Sequence, residues 1–255
     1  MQFGLSIVLM ATALLTGAGS VRFHASDEPR AGALCSEWPN SFDVSPEVRD
    51  GLELYESGQI TEAIDALLPL ANANEAAAQF WLGQAYLVEG SEFYDPEEGF
   101  RRTEKLAIQG YSIAQFNLGI MHENGIGTEV NLAEAARWYH SAAVYCIGRA
   151  AHNLANMHLA GRGVLQDYPR AAELYRMAAE QDMPQSQAAL GVMLANGDGG
   201  SSDLVEAYMW LNIAAAKDAR YADVRDAVSG RLSQSQLNEG QSRARVCMET
   251  SYDDC

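Results

Sequence analysis

Small and apolar residues recur along this chain at two superimposed periods. The short period is helical: Ala114, Leu118, Met121 and His122 lie at i, i+4, i+7 and i+8, the stripe of an amphipathic helix. Ala135, Trp138 and Ala142 follow at i, i+3 and i+7, and Ala171, Leu174, Ala178 and Ala207, Trp210, Ala214 are spaced in the same way. The long period is 36 residues. Leu82, Leu118, Leu154 and Leu190 repeat at that interval with no insertion or deletion between them. A fixed period of roughly 20–50 residues is the mark of a solenoid, in which one supersecondary unit stacks on the next.

Polar and turn residues divide each period into two helices. Three glycine pairs, Gly125 with Gly127, Gly161 with Gly163 and Gly197 with Gly199, close the first half, because glycine adopts positive φ at no steric cost. The first unit has Glu89, Gly90 and Ser91 there instead. Asp95, Asn131, Asp167 and Asp203 then stand where a helix N-cap is needed, and Pro96 fits the first helical position. Pairs such as Ala142-Ala143, Ala178-Ala179 and Ala214-Ala215 allow close helix approach. Upstream, Gly51, Leu54, Gly58, Ala63 and Leu67 read as one more hairpin with a shorter loop. Downstream, residues 218–232 form a further helix, and Ser233-Gln-Ser-Gln236 is a capping box opening a last helix to about Met248.

These residues resemble the Sel-1-like repeat family, relatives of the tetratricopeptide repeats. The segments Asn117-Leu-Gly-Ile-Met-His-Glu-Asn-Gly-Ile-Gly-Thr128, Arg137-Trp-Tyr-His-Ser-Ala-Ala143 and Glu206-Ala-Tyr-Met-Trp-Leu-Asn-Ile-Ala-Ala-Ala216 match the family pattern. Departures are local: Ala155 stands for the usual glycine, Gly99 for the usual alanine and Arg102 for the usual aromatic, which bears on packing in the first and third units. The resemblance implies an all-α, right-handed α-solenoid (superhelix) of helix-turn-helix repeats. The array is expected over 46–217, in units of about 46–74, 75–110, 111–146, 147–182 and 183–218. A leader at 1–20 and an irregular arm at 21–45 precede it, and capping helices and a tail at 218–255 close it. By analogy with tetratricopeptide superhelices, Phe80, Gln84, Phe116, Ile120, His152, Asn156, Ala188 and Val192 would face the concave groove. Such proteins are typically adaptors, so the implied partner is a protein or peptide. The competing implication is a β-lactamase-like or other cell-wall hydrolase, as in cysteine-rich secreted members; their cysteines recur across repeats, whereas Cys146 has no counterpart in the following unit.

Composition adds a compartment. Residues 1–20 hold no charged side chain, Leu5 to Leu15 is apolar, and Ala18-Gly-Ser20 offers small residues for cleavage. This is a signal-peptide pattern that lacks the usual positive start, so an uncleaved anchor or a mis-assigned start codon stays open. No other stretch is apolar enough for a stable membrane span. The expected location is periplasmic or secreted. The net charge of −17 repels phosphate and argues against nucleic acid. The four cysteines suit an oxidising compartment. The short spacing of Cys247 and Cys255 suits a bridge that folds the tail back on the last helix. Cys35 and Cys146 then remain as a pair by elimination, although four cysteines allow three connectivities.

The search for chemistry returns little. Ser-x-x-Lys, Gly-x-Ser-x-Gly, His-Glu-x-x-His, Walker and Cys-x-x-Cys patterns are absent, so no catalytic residue, metal site or cofactor is expected. His122 and His158 occupy equivalent places, but Tyr86 holds the same place in the first unit, which makes it a packing position. The Asp/Asn series reads as caps, and Trp81, Met121, Met157 and Met193 read as core. The expected function is a non-catalytic scaffold or regulatory adaptor.

Overall fold

The computed structural model describes residues 44–255, and within them every regular element is helical. The expected leader, nearly all of the arm and the Cys35 half of the second bridge lie outside the described residues. Two compact units divide the chain, one running to Tyr145 and one from Cys146. The first holds α1 (Pro46–Glu56), α2 (Ile60–Asn72), α3 (Ala76–Ala85), α4 (Pro96–Ile108), α5 (Ser112–Asn124) and α6 (Leu132–Val144). The second holds α7 (Gly148–Ala160), α8 (Tyr168–Ala179), α9 (Pro184–Asn196), α10 (Leu204–Lys217), a 3₁₀ turn at Ala219–Tyr221, α11 (Ala222–Ser229) and α12 (Gln234–Glu249). Within each unit, consecutive helices as far as α11 pack on one another, and α12 packs on α10.

Each of the four 36-residue hairpins is closed by the same two bonds. The cap side chains of Asp95, Asn131, Asp167 and Asp203 accept from backbone N–H groups in the first turns of α4, α6, α8 and α10, at 2.9–3.1 Å. Their own N–H groups donate to the carbonyls of Tyr86, His122, His158 and Leu194, at 2.9, 2.8, 3.0 and 3.1 Å. The constant feature at that last position is therefore its carbonyl, and the side chain is free to vary. Gly125, Gly161 and Gly197 end α5, α7 and α9 in the left-handed region. The α3–α4 hairpin lacks that glycine, and α3 stops at Ala85, three residues short of the place where its counterparts end. The turns between hairpins repeat as well: Asn74, Gly110, Cys146 and Asp182 all have positive φ.

Close approach of the paired helices explains the Leu-Gly positions. A Cβ on Gly119 would lie 2.6 Å from the Tyr139 ring, and one on Gly191 2.7 Å from Leu211. Ala155, the departure in the third unit, is fully buried. At Gly99 the missing methyl is replaced by Leu87, whose side chain would stand 2.6 Å from an added Cβ. Trp138, placed on the apolar stripe by its spacing, is only half-buried, whereas its neighbour Tyr139 is fully buried.

Ser233 and Gln236 form the expected capping box of α12, and Cys247 is bonded to Cys255 with Cα atoms 4.7 Å apart. The tail folds back on the end of α12, where the Tyr252 N–H donates to the Cys247 carbonyl at 2.8 Å, and it also reaches α10. Ser251 and Tyr252 take positive φ, 53° and 75°, and turn the chain back over α10. There the Tyr252 ring stacks on Trp210, centroids 6.5 Å apart and planes 8° from parallel.

Candidate binding surface on the first helices

The eight residues assigned to a groove fall into two sets, one in each unit. In the first unit Phe80 and Gln84 on α3 and Phe116 on α5 are buried, and Ile120 is half-buried. Phe80 meets Trp81 edge-on at 5.3 Å, and Phe116 tilts against Tyr139 at 5.9 Å. Phe116 thus packs within its own hairpin. The Gln84 amide nitrogen is buried and has no hydrogen-bond partner.

In the second unit the four residues differ in kind. Asn156 on α7 is exposed, and its Oδ1 accepts from the Tyr175 hydroxyl at 2.5 Å. Burial pushes the Tyr175 phenol up to about 12, so it remains a donor at any physiological pH. That bond directs the Asn156 amide nitrogen outward. His152 is half-buried, packs against the Tyr175 ring at 5.5 Å and shares a hydrogen bond of 2.8 Å between Nδ1 and the Ser186 hydroxyl. Burial lowers its pKa below the usual histidine value. Ala188 is buried, and Val192 on α9 is 37% exposed.

Three sets of residues that carry this arrangement were not singled out by pattern. Gln79, Gln115 and Gln187 are buried, and their amide nitrogens donate to the carbonyls of Ala71, Ala107 and Ala179 at 3.2, 3.2 and 3.1 Å. Those carbonyls belong to the ends of α2, α4 and α8, where each also accepts from a turn N–H, that of Asn74, Gly110 or Asp182. Each glutamine therefore ties one hairpin to the next, and Ala151 takes the place in α7. Tyr139 and Tyr175 are the second set. They stand one period apart on α6 and α8, and their hydroxyls donate to Glu123 at 2.7 Å and to Asn156. Ser186 is the third. The 36-residue spacing marks the glutamines and the tyrosines, but only the fold shows what they bond.

The remaining candidates have structural roles. His122 meets Phe100 edge-on at 5.3 Å, and His158 Nδ1 lies 3.3 Å from the Leu165 carbonyl. Among the described residues no three His, Cys, Asp or Glu side chains are grouped to hold a metal, and no helix is long and apolar enough to cross a membrane. The one Ser–His hydrogen bond seen among the described residues, Ser186 to His152, joins a fully buried hydroxyl.

Comparison with known proteins places this geometry. The Sel1 repeat model matches residues 76–110, 112–143, 148–183 and 184–218. No curated protein matches the chain. Among solved structures, c5321, a protective antigen present in uropathogenic Escherichia coli strains and displaying an SLR fold, is 27% identical with a TM-score of 0.69. That match covers 81% of this chain and 46% of the other, so the present chain spans about half the length of that relative. A Sel1 repeat protein from Oxalobacter formigenes is 30% identical with a TM-score of 0.61, over 68% of this chain and 69% of that one. The fold class is the all-α solenoid of helical repeats, and proteins built this way are generally interaction scaffolds. Four matched repeats over more than half of its residues show that the chain belongs to the Sel1 repeat family.

Proposed function

We propose that this chain is a non-catalytic scaffold of the bacterial periplasm that binds a protein or peptide on the first helices of its repeats. The observation that carries the reading is the locked polar set of the second unit. Asn156 is held by Tyr175 and His152 by Ser186, so each presents one remaining polar atom in a fixed direction. Side chains already held in place lose little entropy on binding, which is how a scaffold recognises an extended backbone. Val192 adds an exposed apolar contact on α9. Export is supported by the apolar leader at 1–20, and the Cys247–Cys255 bridge suits an oxidising compartment.

The test is selection of peptides from a displayed random library on the immobilised protein, repeated with Asn156→Ala and His152→Ala. The selected peptides should lose affinity by roughly tenfold or more for at least one variant, about 1.4 kcal/mol. Peptides indifferent to both substitutions would move the binding surface elsewhere. Turnover of a chromogenic β-lactam that survives purification and vanishes on a point mutation would replace the scaffold reading by the hydrolase one.

A further inference from the structure

The tail of the second unit is bound more tightly into the fold than a chain end needs to be. Tyr252 stacks on Trp210 of α10. Its hydroxyl donates to the Asp182 carboxylate in the turn between α8 and α9 and receives a hydrogen bond from the Lys217 ammonium at the end of α10. Lys217 also pairs with Asp182 directly, and its nitrogen lies 5.0 Å from the centre of the Tyr252 ring. One aromatic side chain thus packs on an indole and bonds a carboxylate and an ammonium that come from two different hairpins. The backbone that delivers it is unfavourable: Ser251 and Tyr252 are consecutive non-glycine residues in the left-handed region. The Tyr252 N–H bond to the Cys247 carbonyl, at 2.8 Å, and the Cys247–Cys255 bridge hold that turn in place. Cys247 is fully buried while Cys255 is exposed at the chain end.

We infer that residues 250–255 form a redox-controlled strap: with the Cys247–Cys255 bridge intact Tyr252 covers the Trp210, Lys217 and Asp182 surface, and reduction by a dithiol lifts it off. The exchange balances. One thiolate of the dithiol attacks the exposed Cys255 sulfur, the S–S bond breaks, and Cys247 leaves as a thiolate that takes up a proton. The second thiol of the dithiol then displaces Cys255 from the mixed disulfide. Two electrons and two protons pass to the protein pair, and the dithiol becomes a disulfide. Without the bridge, the last residues have no covalent tie to α12, and the strained turn has only the Tyr252 contacts to hold it. The inference does not depend on the first-helix binding surface.

The chain carries two lysines, Lys105 and Lys217, which makes the test internally referenced. The full-length protein is labelled briefly with an amine-reactive ester and mapped by mass spectrometry, and Lys217 modification is divided by Lys105 modification. The ratio should rise several-fold after dithiothreitol treatment, in Cys255→Ser without reductant, and in Tyr252→Ala with the bridge intact, while helicity by circular dichroism is unchanged. Cys255→Ser leaves the buried Cys247 in place and the other cysteines untouched, so it isolates this bridge. A ratio that stays at the oxidised value in Cys255→Ser and after reduction overturns the strap. So does a parallel rise at both lysines, which would report general loosening.

Discussion

Replacing Gln115 or Gln187 by alanine leaves the carbonyl of Ala107 or Ala179 buried at a helix end without its side-chain donor. Each carbonyl keeps its backbone bond from the Gly110 or Asp182 N–H, so each variant should lose the net worth of one hydrogen bond, about 0.5–1.5 kcal/mol, in urea titration. Asn238→Ala, an exposed position on α12, should stay within about 0.5 kcal/mol. His152 gives a prediction with a sign. Burial holds its folded pKa below the ordinary value of 6.5, so at acid pH the unfolded chain binds the proton more readily than the folded one. Its contribution to stability is complete above 6.5 and is lost as pH falls through that value. The melting temperature of the native chain should therefore drop between neutral and mildly acid pH more steeply than that of His152→Gln. Equal slopes would show that the burial of this imidazole has no thermodynamic weight.

At the scale of the element, the loop glycines are not equivalent. Gly127 has φ +68°, and a Cβ there would fall 1.9 Å from the Pro96 carbonyl oxygen at the start of α4. Gly90 has φ +86° with open space around it. Gly90→Ala should cost only the left-handed penalty of about 1–2 kcal/mol, whereas Gly127→Ala should cost clearly more, because the α5–α6 loop must move off α4. Comparative thermal melts of the two variants measure the difference. The caps form a milder series: Asp167→Ala removes the bond to the Arg170 N–H and should cost about 1 kcal/mol. These caps and glycines are legible in the primary structure, because each acts on backbone a few residues away. The bond from each cap N–H to the carbonyl of the Tyr86, His122, His158 or Leu194 position is not, since a carbonyl leaves no mark on residue type.

For the molecule as a whole, charge is unevenly shared. Described residues 44–145 carry 16 acidic and 5 basic side chains, a net of −11, and residues 146–255 carry 14 and 10, a net of −4. Like charges repel in the compact state, and salt screens that repulsion over about 8–10 Å at physiological ionic strength. The melting temperature should accordingly rise when salt is raised from about 0.01 to 0.15 M. A fall would mean that the ion pairs, such as Arg176 with Glu206 at 2.5 Å, outweigh the repulsion. The bridge at the chain end closes a short loop, and its loss in Cys255→Ser should lower stability by about 2–3 kcal/mol at most.

The amino-acid sequence determined the 36-residue unit, the two helices within it, the caps, the glycine turns, the capping box of α12 and the Cys247–Cys255 bridge. All of these are short-range or repeated four times, so local propensity and register suffice to specify them. Tertiary packing decided which first-helix residues stay accessible. Phe80, Phe116 and Ala188 hold equivalent places to His152 yet are buried, while His152 and Asn156 keep polar atoms outward because Ser186 and Tyr175 hold them. Exposure depends on what the neighbouring helix places opposite, and a repeat pattern does not carry that. Packing also decided where the tail goes. The bridge follows from two nearby cysteines, but the stacking of Tyr252 on Trp210 joins positions distant in the chain, and only the folded hairpins bring that ring, Lys217 and Asp182 together.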